Sequence, residues 1–158
     1  YGNLCQRVFS FIKKNCQNKI PYKTNLIDSD KKFLNNLIEN LPELSNLMNN
    51  QNLNEYIKKV VTFSFEANKY FNDSEPWSIK KNDPERMKTI LFTISQQIKN
   101  ISILLNPIIP NATGKVLSSM HINQNNILIN KIDDMNSLNH EKELNNLEIL
   151  FSKIENDN

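Results

Sequence analysis

DPERMKTILFTISQQIKNISILLNP, residues Asp83–Pro107, decides the fold class. It opens with a capping side chain, a proline at the first helical position and an acidic residue near the positive end of the helix dipole. Met87, Ile90, Leu91, Ile94, Ile98, Ile101, Leu104 and Leu105 then recur at the three- and four-residue spacing of a helix with one core-facing stripe. Asn106-Pro107 ends it, because proline brings no N–H to the next turn. A stripe this long needs other apolar helix faces to pack against.

The flanking sequence supplies them. Leu4, Val8, Phe11 and Ile12 predict an amphipathic helix over about residues 2–17, with Asn3, Arg7, Ser10 and Lys14 on an adjoining polar stripe. Ser29 or Asp30 caps a second helix carrying Phe33, Leu34, Leu37, Ile38 and Leu41, which Pro42 breaks or kinks before Leu44, Leu47 and Met48. Asn49–Asn52 reads as a connector, and Asn52 with Glu55 resembles a capping box. A long helix follows with Tyr56, Ile57, Val60, Val61, Ser64, Ala67 and Phe71 on its buried side, broken at Asn72-Asp73-Ser74-Glu75 ahead of Pro76 and Trp77. Pro110-Asn111 opens a shorter helix with Val116, Leu117 and Met120. Four or five packed helices make an all-α bundle. Past residue 122 the periodicity fades, so residues 1–121 read as the bundle and 122–158 as an irregular C-terminal tail, with Leu147–Glu155 as a mixed closing segment.

Composition excludes several classes. A 158-residue chain is long enough for one domain and buries roughly 68–70% of its unfolded surface, so it needs no disulfide or metal staple. Two glycines weigh against phosphate loops, dinucleotide-binding turns and hairpin-rich sheets. The apolar share is 39%, and much of the remainder is asparagine, 28 residues scattered through periodic segments. Cys5 and Cys16 have neither zinc-knuckle nor redox-pair spacing and read as reduced thiols. His121 and His140 form no metal motif. No apolar run reaches a membrane span and no signal peptide opens the chain. The chain starts with Tyr1 in mid-pattern and reads as a piece of a longer protein. No nucleophile motif or carboxylate pair stands out, and Asp28/Asp30 and Asp133-Asp134 read as a helix cap and a tail charge pair. No catalytic residue and no metal ligand is assigned.

Three features rise above background, and each has a bland reading beside an RNA-binding one. Asn3 and Arg7 lie one turn apart on the same side of a helix, and their mixed donors and acceptors suit an unpaired base edge, although a solvated helix face has the same spacing. Trp77, the only tryptophan, follows Pro76 between two helices, where an open ring stacks a base and a closed one anchors the core. Lys13-Lys14, Lys31-Lys32, Lys58-Lys59 and Lys80-Lys81 are phosphate contacts or simply solubilising pairs. The net charge of +2, with only two arginines, leaves a helical protein-interaction module with no RNA role as the alternative.

GNLCQRVFSFIKKN (Gly2–Asn15), ANKYFNDSEPWSIKK (Ala67–Lys81) and ILLNPIIPNATGKVLSSM (Ile103–Met120) resemble, in order and spacing, the anticodon-binding domain of methionyl-tRNA synthetases. LFSKIE (Leu150–Glu155) is similar to the LFPRIE-like ending of bacterial forms, with Ser152 in place of the usual proline. The combination of Asn68, Lys69 and Tyr70 with Glu75-Pro76-Trp77 points to the methionine enzyme; the same bundle from an isoleucine, valine or leucine enzyme stays as a second alternative, against which Pro76-Trp77 argues. The resemblance implies a helical bundle of the class I aminoacyl-tRNA synthetase type that binds the CAU anticodon of methionine tRNAs. It implies that Trp77 stacks on the wobble cytosine, that Asn3 and Arg7 hydrogen-bond its edge, and that Asn68 and Pro76 support the site. The HIGH and KMSKS signatures are absent, and His121-Ile122-Asn123-Gln124 is not one. Catalysis, ATP with magnesium, and methionine are therefore expected in the rest of a cytoplasmic parent ligase. The partners implied are the tRNA anticodon loop and the parent's own catalytic domain, against which the tail docks; neither membrane nor DNA is implied.

Overall fold

The computed structural model describes residues 1–23, 25–122, 132 and 134–147. Among them are seven helices: α1 (Gly2–Asn15), α2 (Asp28–Glu39), α3 (Leu41–Asn49), α4 (Leu53–Ser74), α5 (Pro76–Ile79), α6 (Pro84–Leu105) and α7 (Pro110–Ser119). The count exceeds the expected four or five because Pro42 divides one predicted helix into α2 and α3, and residues 76–79 close a helical turn of their own. Asp133, residues 123–131 and the 148–158 ending, with LFSKIE, lie outside the described residues.

Helix α6 is the axis. Its Asp83 cap accepts from the Arg86 N–H at 3.0 Å, and its apolar stripe packs against α4, α5, α7, α1 and α2. The expected single stripe understates its burial, since every residue from Thr89 to Leu105 is buried. The polar side is covered by the chain after α7. Lys99 Nζ donates to the Asp134 carbonyl at 3.0 Å and to Ser137 Oγ at 2.8 Å, and Gln96 Nε2 donates to the same carbonyl at 3.1 Å. Leu138 and Leu144 join the bundle's core, and Leu144 N–H bonds to Asn18 O at 2.8 Å. An irregular backbone thus covers this side of α6 while its carbonyls accept from the Lys99 and Gln96 side chains that it encloses.

Helices end here without glycine. Gln51 and His121 take left-handed φ values of 57° after α3 and α7, letting Asn52 N–H reach Leu47 O at 2.8 Å and Ile122 N–H reach Leu117 O at 3.0 Å. Gln17 has φ 54° after α1, which stops at Asn15 and not at the expected residue 17.

Several local expectations are corrected. Asn52 caps α4 by position, but its side chain accepts no cap hydrogen bond, so the capping box does not form. Helix α4 does not break at Asn72 and runs to Ser74; only Glu75, at φ 45°, turns the chain. Val61 is 37% exposed and Phe63 is buried in its place, a difference of helical phase. Neither Ser29 nor Asp30 is the N-cap of α2: Ile27 holds that position and Asp30 sits three residues inside, accepting from the Ile27 N–H at 3.1 Å. Asp30 is also 0% exposed and receives both guanidinium nitrogens of Arg86, at 2.6 and 2.9 Å, and the Tyr70 hydroxyl at 2.7 Å. Burial alone would raise the Asp30 carboxyl pKa, but the hydrogen bonds from Arg86, Tyr70 and Ile27, with the Arg86 charge, bring it below the usual carboxylate range.

Candidate nucleic-acid interface

Helices α1 and α4 both run opposite to α6. Tyr1 at the start of α1 bonds Ser102, while Cys16 past its end lines a cleft with Lys88. Tyr56 on α4 donates to Leu104 O at 2.6 Å, while Tyr70 shares Asp30 with Arg86. The two helices are therefore roughly parallel neighbours, and the sequence-predicted residues meet along their seam.

Arg7 projects from α1 across that seam. Its Nη2 donates to Asn72 Oδ1 at 2.7 Å and its Nη1 to Asn68 Oδ1 at 3.4 Å. Asn68 is held by its own amide, which donates to Ser64 O at 3.1 Å, so its oxygen is the end turned toward Arg7. The guanidinium carbon stands 5.2 Å from the centre of the Phe71 ring, close enough for a cation–π contact. Phe71 in turn meets Phe11 edge-on at 6.2 Å and Trp77 edge-on at 5.6 Å. Asn3, one turn before Arg7, is exposed.

Trp77 reaches this place through the local backbone. The left-handed Glu75 reverses the chain after α4, Pro76 opens α5 and is itself buried, and the next residue is turned outward. Trp77 stays 40% exposed while its ring meets Phe71 in a T-shaped contact. Neither simple reading of this tryptophan holds alone: it is anchored on one side and open on the other.

The structure thus brings Arg7, Asn68 and Trp77 to one seam, with Pro76 as the buried pivot beneath the tryptophan and Asn3 on the same exposed stripe of α1. It adds Phe71 and Asn72, which the sequence reading placed in the core and in a break. The available signal for Asn72 was its four-residue spacing from Asn68, legible once α4 is known to continue. Of the lysine pairs, Lys80-Lys81 lie closest along the chain to Trp77 and are exposed; Lys59 instead pairs with Glu43, and Lys58 with Glu55 at 3.4 Å. His140 is held by the Ile20 carbonyl and stacked on Tyr22, and His121 contacts the Glu143 carbonyl. Among the described residues no three His, Cys, Asp or Glu side chains gather as metal ligands.

A half-open aromatic and a cationic fork, linked through Phe71, offer a stacking surface and hydrogen-bond donors of the kind that unpaired nucleotides use. Residues 20–158 match the family described as the anticodon-binding domain of methionyl tRNA ligase. The chain belongs to that family. The match begins past α1, so Asn68, Pro76 and Trp77 fall within it while Asn3 and Arg7 precede it. Among curated relatives, the methionine–tRNA ligase of Mesorhizobium japonicum is 32% identical over 121 residues, covering 77% of this chain and 23% of that protein. That of Rickettsia felis is 31% identical over 133 residues, covering 78% and 25%. The chain therefore spans about a quarter of the length of these relatives. The free Mycobacterium tuberculosis methionyl-tRNA synthetase superposes with a TM-score of 0.87 at 23% identity, over 95% of this chain and 31% of that one. A second structure of that enzyme, bound by methionyl-adenylate, gives 0.87 over 96% and 30%. These structural likenesses establish the helical fold.

Proposed function

We propose that this domain reads the CAU anticodon of methionine tRNAs, with Trp77 stacking on the wobble cytosine and Asn3 and Arg7 bonding its edge. The observation that carries the reading is the Arg7 fork fixed by Asn68 and Asn72 at the same seam as the half-open Trp77 ring. Cytosine differs from uracil in its exocyclic amine and ring-nitrogen acceptor. Arginine presents five donors, of which the two asparagines engage two, and Asn3 adds an acceptor for the amine. A uracil in the same place would leave polar groups unpaired, at about 1–3 kcal/mol each. Stacking adds roughly 1–3 kcal/mol for any base. Asn68 and Pro76 act at one remove, the first by orienting Arg7 and the second by setting the tryptophan turn.

The parent protein, in this reading, is a cytoplasmic methionine–tRNA ligase that activates methionine with ATP and magnesium and transfers it to tRNA. Those ligands belong to its catalytic domain, and this chain supplies recognition. The lengths of the relatives support that division, and no helix among the described residues is long and apolar enough to cross a membrane.

The test is a titration of the chain against a CAU anticodon stem-loop and a UAU control at two salt concentrations, followed by Trp77 fluorescence. Quenching that prefers CAU and weakens with salt is expected. Salt-insensitive binding, or equal response to both loops, would overturn the assignment. No binding of either loop even at low salt would favour the protein-interaction module with no RNA role.

A further inference from the structure

Phe65 is 70% exposed, more than Trp77, on a helix whose inner face is fully packed. It lies three residues before Asn68 and seven before Asn72, and Val61 and Lys58 precede it at four and seven residues. These spacings place Lys58, Val61, Phe65, Asn68 and Asn72 on one stripe of α4, spanning about 20 Å at 1.5 Å per residue. The upper end of the stripe is the pair of asparagines that holds Arg7. Because α1 and α4 run parallel, one turn back from that contact brings Asn3 on α1 level with Phe65 on α4. The site described above therefore continues down the seam instead of ending at Arg7.

We propose that Phe65 is a second base-stacking platform, taking another unpaired base of the same loop whose first base stacks on Trp77, with Lys58 meeting a phosphate on the far side of Phe65 from Trp77. The inference rests on the anticodon-binding reading and extends it to a residue outside the wobble pocket. Single-strand grooves combine aromatic platforms with cations that track the backbone, and along the seam Lys58, Phe65, Arg7 and Trp77 set those elements in turn. The Lys58–Glu55 contact is 3.4 Å long with both side chains mostly in solvent, so it does not hold the ammonium back from a phosphate. A ring serves any base, so this platform adds affinity and register without reading identity, in contrast to the Arg7 end.

The test compares Phe65→Ala, Phe65→Trp and Trp77→Ala in the 158-residue chain, titrated by anisotropy against fluorescently labelled CAU stem-loops carrying single abasic positions. Exposed Phe65 leaves the fold intact when truncated, checked by the unchanged melting temperature. Phe65→Ala should weaken the intact loop about 5- to 140-fold, the equivalent of roughly 1–3 kcal/mol of base–aromatic stacking, and Phe65→Trp should restore it. One abasic position should weaken binding to the parent chain yet cost nothing further in Phe65→Ala, and it should differ from the position silenced by Trp77→Ala. If Trp77→Ala weakens binding while Phe65→Ala does not, the second platform is overturned and the anticodon reading stands. If neither substitution changes loop binding, the anticodon reading fails and this inference with it. A concentration-dependent dimer that Phe65→Ala abolishes would assign the stripe to a second copy of the chain and overturn the proposal.

Discussion

Removing Arg86 should destabilise the domain more than neutralising Asp30, although the two form one ion pair. Asp30 is fully enclosed, whereas the Arg86 side chain keeps 22% of its surface in solvent. Breaking a buried pair from one side costs about 3–5 kcal/mol, because the remaining charge is left uncompensated. Asp30→Asn leaves a guanidinium that regains water, so its cost belongs near the lower limit, about 3 kcal/mol. Arg86→Met strands a carboxylate that keeps only Tyr70 and the Ile27 N–H, so its cost belongs near about 5 kcal/mol. At roughly 2–4 °C per kcal/mol for a chain of this size, the first substitution lowers Tm by roughly 6–12 °C and the second by more. The pH dependence is fixed by the sign of the shift. The folded carboxyl sits below its unfolded value of about 3.9, so its contribution is complete above that pH and is lost as pH falls through the folded pKa. Asp30→Asn should therefore flatten the acid limb of a urea-unfolding series below about pH 4. Losses under about 1 kcal/mol for both variants, or a larger loss for Asp30→Asn, would refute this account.

Trp77→Ala should weaken every anticodon loop by about 5- to 140-fold, whereas Arg7→Ala should also erode the preference for cytosine over uracil at the wobble position; equal losses on matched and mismatched loops in both would sink that division. Tyr56→Phe should cost about 1–3 kcal/mol in chemical denaturation, since it strands Leu104 O in the last turn of α6, where no later N–H of the helix completes it. Burial pushes the Cys5 thiol pKa up to about 12 and raises that of half-buried Cys16, so a maleimide at neutral pH should label Cys16 first and Cys5 only on unfolding. Equal labelling rates in the native protein would show that the α1 core is open.

The long periodic segments were legible because each carries its own evidence: the Asp83-Pro84 start and the Asn106-Pro107 stop bracket α6 almost to the residue. Helix ends were less legible because the usual glycine signal is missing, and Gln17, Gln51, Glu75 and His121 do the left-handed work. That substitution hid the continuation of α4 through Asn72, and with it one holder of Arg7. The buried Asp30–Arg86–Tyr70 cluster was illegible for another reason. Its members stand 56 and 40 residues apart, and no local pattern distinguishes a carboxylate near a helix start from one that also receives an arginine from a distant helix. The docked tail shows the same limit, since its anchors are backbone carbonyls that Lys99 and Gln96 select and no side-chain pattern records.

The two arginines illustrate how the partner decides the use. Arg86 faces a carboxylate and is consumed by the fold, while Arg7 faces two neutral amide oxygens and a ring face. Neutral acceptors orient the fork without cancelling its charge, so the cation stays available to RNA. Asn72→Asp tests the distinction with a nearly isosteric change. The new carboxylate would sit 2.7 Å from Nη2 and turn a hydrogen bond with one charged partner into an ion pair, which cancels the charge of the fork. The fold should hold or gain slightly, because Asn72 is exposed and the added pair is solvated. Loop binding should fall about tenfold or more, and if Arg7 also meets a phosphate, the salt slope should shrink by about 0.7 as that cation is withdrawn. A variant that melts as the parent chain does but binds the CAU loop equally well would show that Arg7 is structural, like Arg86, and that the reading of cytosine lies elsewhere on the seam.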